Sequence, residues 1–528
     1  MDKLKVSLSI CPYKLNQTMT KNLLQNLVFA LIIYLLLLFK LGYEFGGGDQ
    51  VEVLPFALFL KDATLFNNDI YIQSAAAVFP NERWFIIQLV NLAPQQFMSV
   101  WCLSLHILYS LLLISGLRKI ASVFIENEWL QWLSVLVNLV ILYLYAPGGN
   151  ELYYNTLSAS LVAKAIGAWA VFYFFNSRFF LSVLLLIPVT WFHPLVGIHL
   201  AILFFGTFVI NNLKEYKKHL FTFYKTLFTY LLLAVSFVIY IKLKTDAVQA
   251  DSFLLDAEFY KILFDFRNPH HYNPLAFSKQ AFLFTSLILI IAFYSFRKNK
   301  MVLWFLVTGI GLFMLGTLNA LSIKNINIAS LQFFKIAIWL KFFGVIGTTI
   351  LVGKLFTLVP PTVFKKYQLF LSATMLMLLA VFYFTSNNFK LFFSKPSEYS
   401  LNAEANISQK AKVISDKNAV FIHPLSFTKF LFYAERSTYV NFKAIAREKN
   451  YIETWIQRLS LVYNIDANMP EKGFDIQAKA NTNFSNIDFV KTQLLKEKGI
   501  THMITFKTHE IENLEVLAEN EEYKIYKL

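Results

Sequence analysis

Leu23-Leu-Gln-Asn-Leu-Val-Phe-Ala-Leu-Ile-Ile-Tyr-Leu-Leu-Leu-Leu-Phe-Lys40-Leu-Gly42 decides the fold. Beyond Gln25 and Asn26 it is apolar up to Lys40, and about 20 such residues in a helix reach across a bilayer. No small-residue cleavage site follows it, so it is expected to stay as a span. Comparable runs recur near 97–117, 129–146, 157–175, 179–192, 195–211, 225–242, 280–296, 301–318, 331–353 and 367–385, which makes about eleven expected spans. The composition agrees: 56% of the 528 residues are hydrophobic and 15% are charged, against roughly 25% charged in soluble chains. A soluble enzyme, a disordered chain and a coiled coil are excluded. The runs do not alternate, which argues against an outer-membrane barrel.

The formal charge of +15 would suggest nucleic acid in a soluble protein, but +13 of it lies before residue 386. Its placement is topological, and no nucleic-acid partner is expected. Basic clusters fall at Lys3, Lys5, Lys14 and Lys21, then at Arg118 and Lys119, Arg178, Lys214 to Lys218, Arg297 to Lys300, and Lys365 with Lys366. On the expected spans each lands on the side of the N-terminus, so the positive-inside rule makes that side cytoplasmic and the chain after 386 external. Most acids of the membrane part fall instead in two outer loops, 43–96 and 243–279. Cys11 and Cys102 offer neither a disulfide framework nor a CxxC metal site.

The expected fold class is therefore an α-helical polytopic membrane protein. Residues 1–385 form the transmembrane domain with its long first outer loop, 43–96, and residues 386–528 a small extracytoplasmic α/β domain. In the tail, β-rich runs at Ala419–Ile422, Thr438–Phe442, His502–Phe506 and Tyr523–Tyr526 alternate with helical stretches at Tyr451–Tyr463 and Phe489–Lys498, which predicts a mixed or parallel sheet. No glycine-rich phosphate loop is present, so no nucleotide is assigned.

Chemistry is expected at the outer face. Tyr43-Glu-Phe-Gly-Gly-Gly-Asp49-Gln-Val-Glu52 follows the first span, and its glycines free the backbone to turn back sharply. Val51–Leu60 then reads as a helix lying at the interface, with Asp49 at its start. There the carboxylate is either an N-cap or a catalytic group. Glu52 and Asp69, the latter in Leu65-Phe-Asn-Asn-Asp69-Ile-Tyr71, are supporting candidates. In the second loop, Phe264-Asp-Phe-Arg267-Asn-Pro-His270-His271-Tyr272 offers a planar guanidinium for phosphate oxygens and an imidazole for a substrate. Two adjacent histidines are too few for a metal site, and no metal ligands are assigned.

A cytoplasmic N-terminus, one span and a long acidic outer loop with an interfacial helix resemble the GT-C superfamily of polyprenyl-phosphate-sugar glycosyltransferases. The Asp69 and Arg267 stretches, and Phe432-Tyr-Ala-Glu-Arg436-Ser-Thr-Tyr-Val-Asn-Phe-Lys443 in the tail, look like patterns of its bacterial members. The resemblance implies that Asp49 is a base or metal ligand, so that the cofactor stays open and a divalent metal is possible. It also implies a polyprenyl-phosphate sugar donor, an acceptor in the cell envelope, and a place in the bacterial cytoplasmic membrane. No Asp-x-Asp or Asp-Glu pair follows the first span, unlike in the best-known members.

Within the apolar part, His193-Pro-Leu-Val-Gly-Ile-His199 breaks two runs near the outer surface; His193 is a candidate cavity residue and His199 an alternative core histidine. Lys164, Lys335 and Lys341 lie in or beside apolar segments, where a charge defaults to a functional hypothesis. Lys164 and Lys335 are expected to meet a phosphate, although snorkelling would also explain Lys335. The leading function is an inverting, lipid-linked glycosyl transfer at the outer face. A lipid or solute transporter or flippase is the second reading, and a catalytically silent scaffold the third.

Overall fold

The computed structural model describes residues 12–213, 216–248, 252–356 and 402–528, with Met377 and Val381 between the last two segments. Every expected apolar run up to 353 is helical over most of its length, although the helix of the run 129–146 ends at Ile141. The first helix, α1, covers Pro12–Leu41 and contains the opening apolar run. Among the described residues, six helices are long and apolar enough to cross a membrane: Leu24–Leu41, Gln95–Ser122, Pro194–Asn211, His219–Val248, Lys300–Ile323 and Ile326–Phe356. Four others, Glu128–Ile141, Ala159–Phe175, Phe179–Phe192 and Lys279–Ser295, are apolar but have at most 17 residues. The longest of them extends about 25 Å at 1.5 Å per residue, short of the roughly 30 Å hydrocarbon core. Against the eleven expected spans, six helices among the described residues are thus of sufficient length by themselves. Apolar composition alone had set the larger number; the expected span 367–385 lies outside the described residues except for Met377 and Val381.

The outward faces of the long helices are apolar. Leu24, Leu27 and Leu31 on α1, Phe221 and Phe228, and Met314 are exposed. Water disfavours such continuous apolar stripes, whereas lipid does not. Inside, Ala159–Phe175 is the most enclosed element, packed against both Met98–Ser122 and Phe179–Phe192. Small residues allow these close approaches: a Cβ on Gly116 would stand 2.8 Å from that of Ala168.

The loop 43–96 contains three short helices, α2 (Gln50–Lys61), α3 (Ile70–Ala77) and α4 (Trp84–Asn91). The helix expected at the interface is therefore present, but α2 is buried continuously from Gln50 to Leu58. Protein, not lipid, covers it: α4 packs on it, as does the tail helix Phe430–Ala434.

The tail carries a five-stranded mixed sheet of order β2-β1-β3-β5-β4. Its strands are β1 (Val420–Ile422), β2 (Ser437–Thr438), β3 (His502–Phe506), β4 (Val516–Glu519) and β5 (Tyr523–Lys527). β1 pairs in parallel with β2 and β3, while β5 runs antiparallel to β3 and β4. The strand expected over 438–442 ends at Thr438, and the chain then leaves the sheet as a loop. That loop reaches both of the acid-rich loops, 43–96 and 243–279. Thr438 N–H donates to the Asp69 carboxylate at 3.0 Å, and Arg267 Nε donates to the Phe442 carbonyl at 2.9 Å.

Candidate functional site

The site begins with the glycine turn after α1. Gly48 adopts a φ of +55°, and a Cβ there would lie 2.8 Å from Thr156 Cγ2, so glycine is needed for both conformation and space. Gln50 holds the turn: its Oε1 accepts from Gly46 N–H at 2.8 Å and its Nε2 donates to the Leu157 carbonyl at 3.2 Å. Asp49 precedes α2 but makes no side-chain cap hydrogen bond. With the turn fixed by its neighbour, the Asp49 carboxylate remains half-buried and available.

Around it stand cations from three parts of the chain and the imidazole of His193. Burial pushes the Asp49 carboxyl up, but Arg83, Lys443 and Lys335, with His193, outweigh it and hold the group at about 2. Arg83 also makes an ion pair with Glu52, one turn into α2. Burial pushes the Glu52 carboxyl above its ordinary value despite that partner, and the neighbouring Asp49 charge adds to the shift. Lys335 lies close enough to influence Lys164, His193, His270 and His271 as well. Arg447 is exposed and within electrostatic reach of Glu52, while Lys443, half-buried, is within reach of Asp49, Glu52, Arg83 and Arg267. Lys335, Lys443 and Arg447 make no ion pair at contact distance among the described residues. These side chains are half-buried or exposed, and together they set a surplus of positive charge around Asp49; this partly enclosed cluster is the recess.

The other expected residues take distinct places. Lys164 is buried; its Nζ donates to the Glu151 carbonyl at 2.5 Å and lies 4.4 Å from the centre of the Tyr154 ring. His193 ends Phe179–Phe192 and caps the next helix, its Nδ1 accepting from Val196 N–H at 3.4 Å. His199 is a core histidine bonded to the Leu331 carbonyl at 2.6 Å. His271 Nδ1 lies 3.1 Å from the Gly148 carbonyl, which makes that nitrogen the donor. His270 lies beside it, with ring centres 4.0 Å apart, and burial together with Arg267 and Lys443 lowers it to about 4. It is therefore neutral at pH 7.

Arg267 and Asp69 bind protein rather than the recess. Besides Phe442, Arg267 donates to Asn268 Oδ1 at 3.2 Å and to the Lys443 carbonyl at 3.4 Å. Its guanidinium lies 4.4 Å from the centre of the Phe442 ring. Burial lowers it to about 10. Asp69 is fully buried and accepts from Tyr71 N–H and Ile72 N–H at 3.0 Å as well as from Thr438.

Arg83, Lys443 and Arg447 were not singled out from the sequence for this site. Lys443 does end the tail stretch quoted above, and Arg83 stands in the acid-rich first loop, so a weak signal existed for both. Lys341, noted only as an intramembrane charge, pairs with Glu151 at 2.5 Å.

The family model of a domain of unknown function, DUF6798, matches residues 403–462. No curated protein matches the chain. The matched segment runs from the first tail helix through β1 and β2 to most of the helix Lys449–Tyr463, and so includes both Lys443 and Arg447.

The recess does not suit a divalent metal, because the carboxylate at its centre is surrounded by cations. No group of three or more His, Cys, Asp or Glu that could hold a metal occurs among the described residues. Its chemistry favours an anion beside one ionised carboxylate.

Proposed function

We propose that the chain is a GT-C-like glycosyltransferase that takes sugar from a polyprenyl-phosphate donor at the outer face of a bacterial cytoplasmic membrane. The observation that carries this reading is an uncapped, ionised Asp49 at the end of the first span, facing Arg83, Lys335 and Lys443. The donor's phosphate lies among the cations, its polyprenyl chain lies along the apolar helices, and an envelope acceptor enters from the outside. The acceptor oxygen attacks the anomeric carbon while Asp49 takes its proton, and the bond between that carbon and the phosphate oxygen breaks. The departing phosphate keeps the electron pair, and Lys335, Lys443 and Arg447 meet its added negative charge. A bound phosphate also draws these cations away from Asp49, so the carboxyl becomes a stronger base when donor is present.

The layout has an N-terminus in the cytoplasm and the tail outside. Contact between the loops supports it by parity. Residues 69, 267 and 438–443 touch one another, so an even number of crossings separates Asp69 from Arg267. Only three of the six long helices lie between them, Gln95–Ser122, Pro194–Asn211 and His219–Val248. An odd number of the short helices Glu128–Ile141, Ala159–Phe175 and Phe179–Phe192 must therefore cross as well, and the eleven-span layout uses all three.

The test is transfer from a panel of polyprenyl-phosphate sugars by wild type and Asp49→Asn at equal expression. The mutant is expected to lose roughly 10²–10⁴-fold, the usual contribution of a general base. Near-normal transfer by the mutant would remove Asp49 as the base. No transfer by the wild type across the panel would overturn the reading.

A further inference from the structure

We propose that Arg267 is a positioning residue that acts through Lys443, and that the 441–447 loop of the DUF6798 segment is a wall of the recess. Arg267 is withheld from a ligand: it is only 3% exposed, each of its three nitrogens already donates within the protein, and its face is covered by Phe442 and Phe474. Two of its hydrogen bonds go to consecutive carbonyls, those of Phe442 and Lys443. A fork of fixed shape thus sets the backbone from which the Lys443 side chain departs.

The other side of that backbone is set by Asn441. Its Oδ1 accepts from Lys443 N–H at 2.7 Å and from Ala444 N–H at 2.8 Å, and its own carbonyl receives the Trp455 indole N–H at 2.8 Å. Upstream, Asp69 holds Thr438. The loop is therefore anchored from the first outer loop, from the second outer loop and from its own domain. The Lys443 ammonium lies 5.1 Å from the centre of the same Phe474 ring that covers Arg267, within electrostatic reach of Asp49 and Glu52. Lys443, Lys335 and Arg447 together suit a phosphate oxyanion, as a free anion or as a lipid headgroup; the inference thus rests on the phosphate-binding reading above.

The experiment is a double-mutant cycle on anion affinity, with the full chain in neutral detergent. The probes are inorganic phosphate and a short-chain isoprenyl monophosphate. Lys443→Gln and Arg267→Lys are each expected to weaken binding about tenfold, in the range of one charge-assisted contact. The double variant is expected to bind no more weakly than Lys443→Gln alone, because Arg267 contributes only through that lysine. Asn441→Ala removes the second anchor without changing any charge. It is expected to behave like Arg267→Lys, which keeps the test sound if Arg267→Lys folds poorly.

Multiplying losses in the double variant would overturn the proposal, as would wild-type affinity in both Arg267→Lys and Asn441→Ala. Binding of neither probe by the wild type would overturn it too. Equal affinity for the two probes would count against a lipid-linked donor, while the cycle would still decide the role of Arg267.

Discussion

Asp49 and Asp69 look alike in the sequence: each is an acid at the start of an apolar helix in the same loop. The structure separates them by their hydrogen bonds. Asp69 uses both carboxylate oxygens on three backbone N–H groups and joins the first loop to β2, whereas Asp49 caps nothing. Asp69→Asn therefore puts an amide NH₂ against a backbone N–H and is expected to cost about 1–3 kcal/mol, seen as a lower thermal midpoint. Burial pushes the Asp69 carboxyl up to about 6 despite its three donors. The native chain then holds this proton more tightly than the unfolded chain, so stability falls as pH rises from the ordinary carboxylate range through about 6. Asp69→Asn should flatten that part of the stability profile. Which acid was free could not be read from the sequence, because the deciding partners are Gln50 for one and Thr438, 369 positions away, for the other.

Among elements, the sequence was most legible where periodic or continuous patterns run long. Phe179–Phe192 coincides with its expected range, and β3 does the same over His502–Phe506. Two departures have physical causes. The α2 helix is apolar on all sides because protein encloses it, a condition the sequence shares with a helix lying in an interface. β4 has an exposed and half-exposed pattern at the sheet edge, so it gave little hydrophobic signal. The Lys341–Glu151 pair shows the cost of charge in such elements. Lys341 is fully buried in the span Ile326–Phe356, and Glu151 sits in the turn before Ala159–Phe175. Lys341→Met would leave Glu151 buried without its cation and is expected to cost about 3–5 kcal/mol. Thermal unfolding in detergent measures this, and adding Glu151→Gln should recover most of the loss. Additive destabilisation by the two changes would show that the pair is not the relevant unit.

At the scale of the whole molecule, the contacts between distant segments constrain topology more firmly than hydropathy does. Asp49 follows α1 directly, so on the proposed layout it lies across the membrane from the N-terminus. The tail touches the loop that begins there, through Asp69–Thr438 and through Lys417 with Asp62 at 3.0 Å. The tail must share that side however many of the short helices cross. A reporter that works only outside the cytoplasm is therefore expected to be active when fused after residue 528 and when inserted in the exposed Asn67-Asn68 turn of the first loop. The same reporter placed in the basic segment after Phe296 should be silent, since Arg297, Lys298 and Lys300 mark the cytoplasmic side. Opposite outcomes at residues 68 and 528 would be incompatible with the hydrogen bonds that join these segments, and the recess would lose Lys443 and Arg447. Activity of all three fusions would instead place the 297–300 turn outside and remove the positive-inside basis of the orientation.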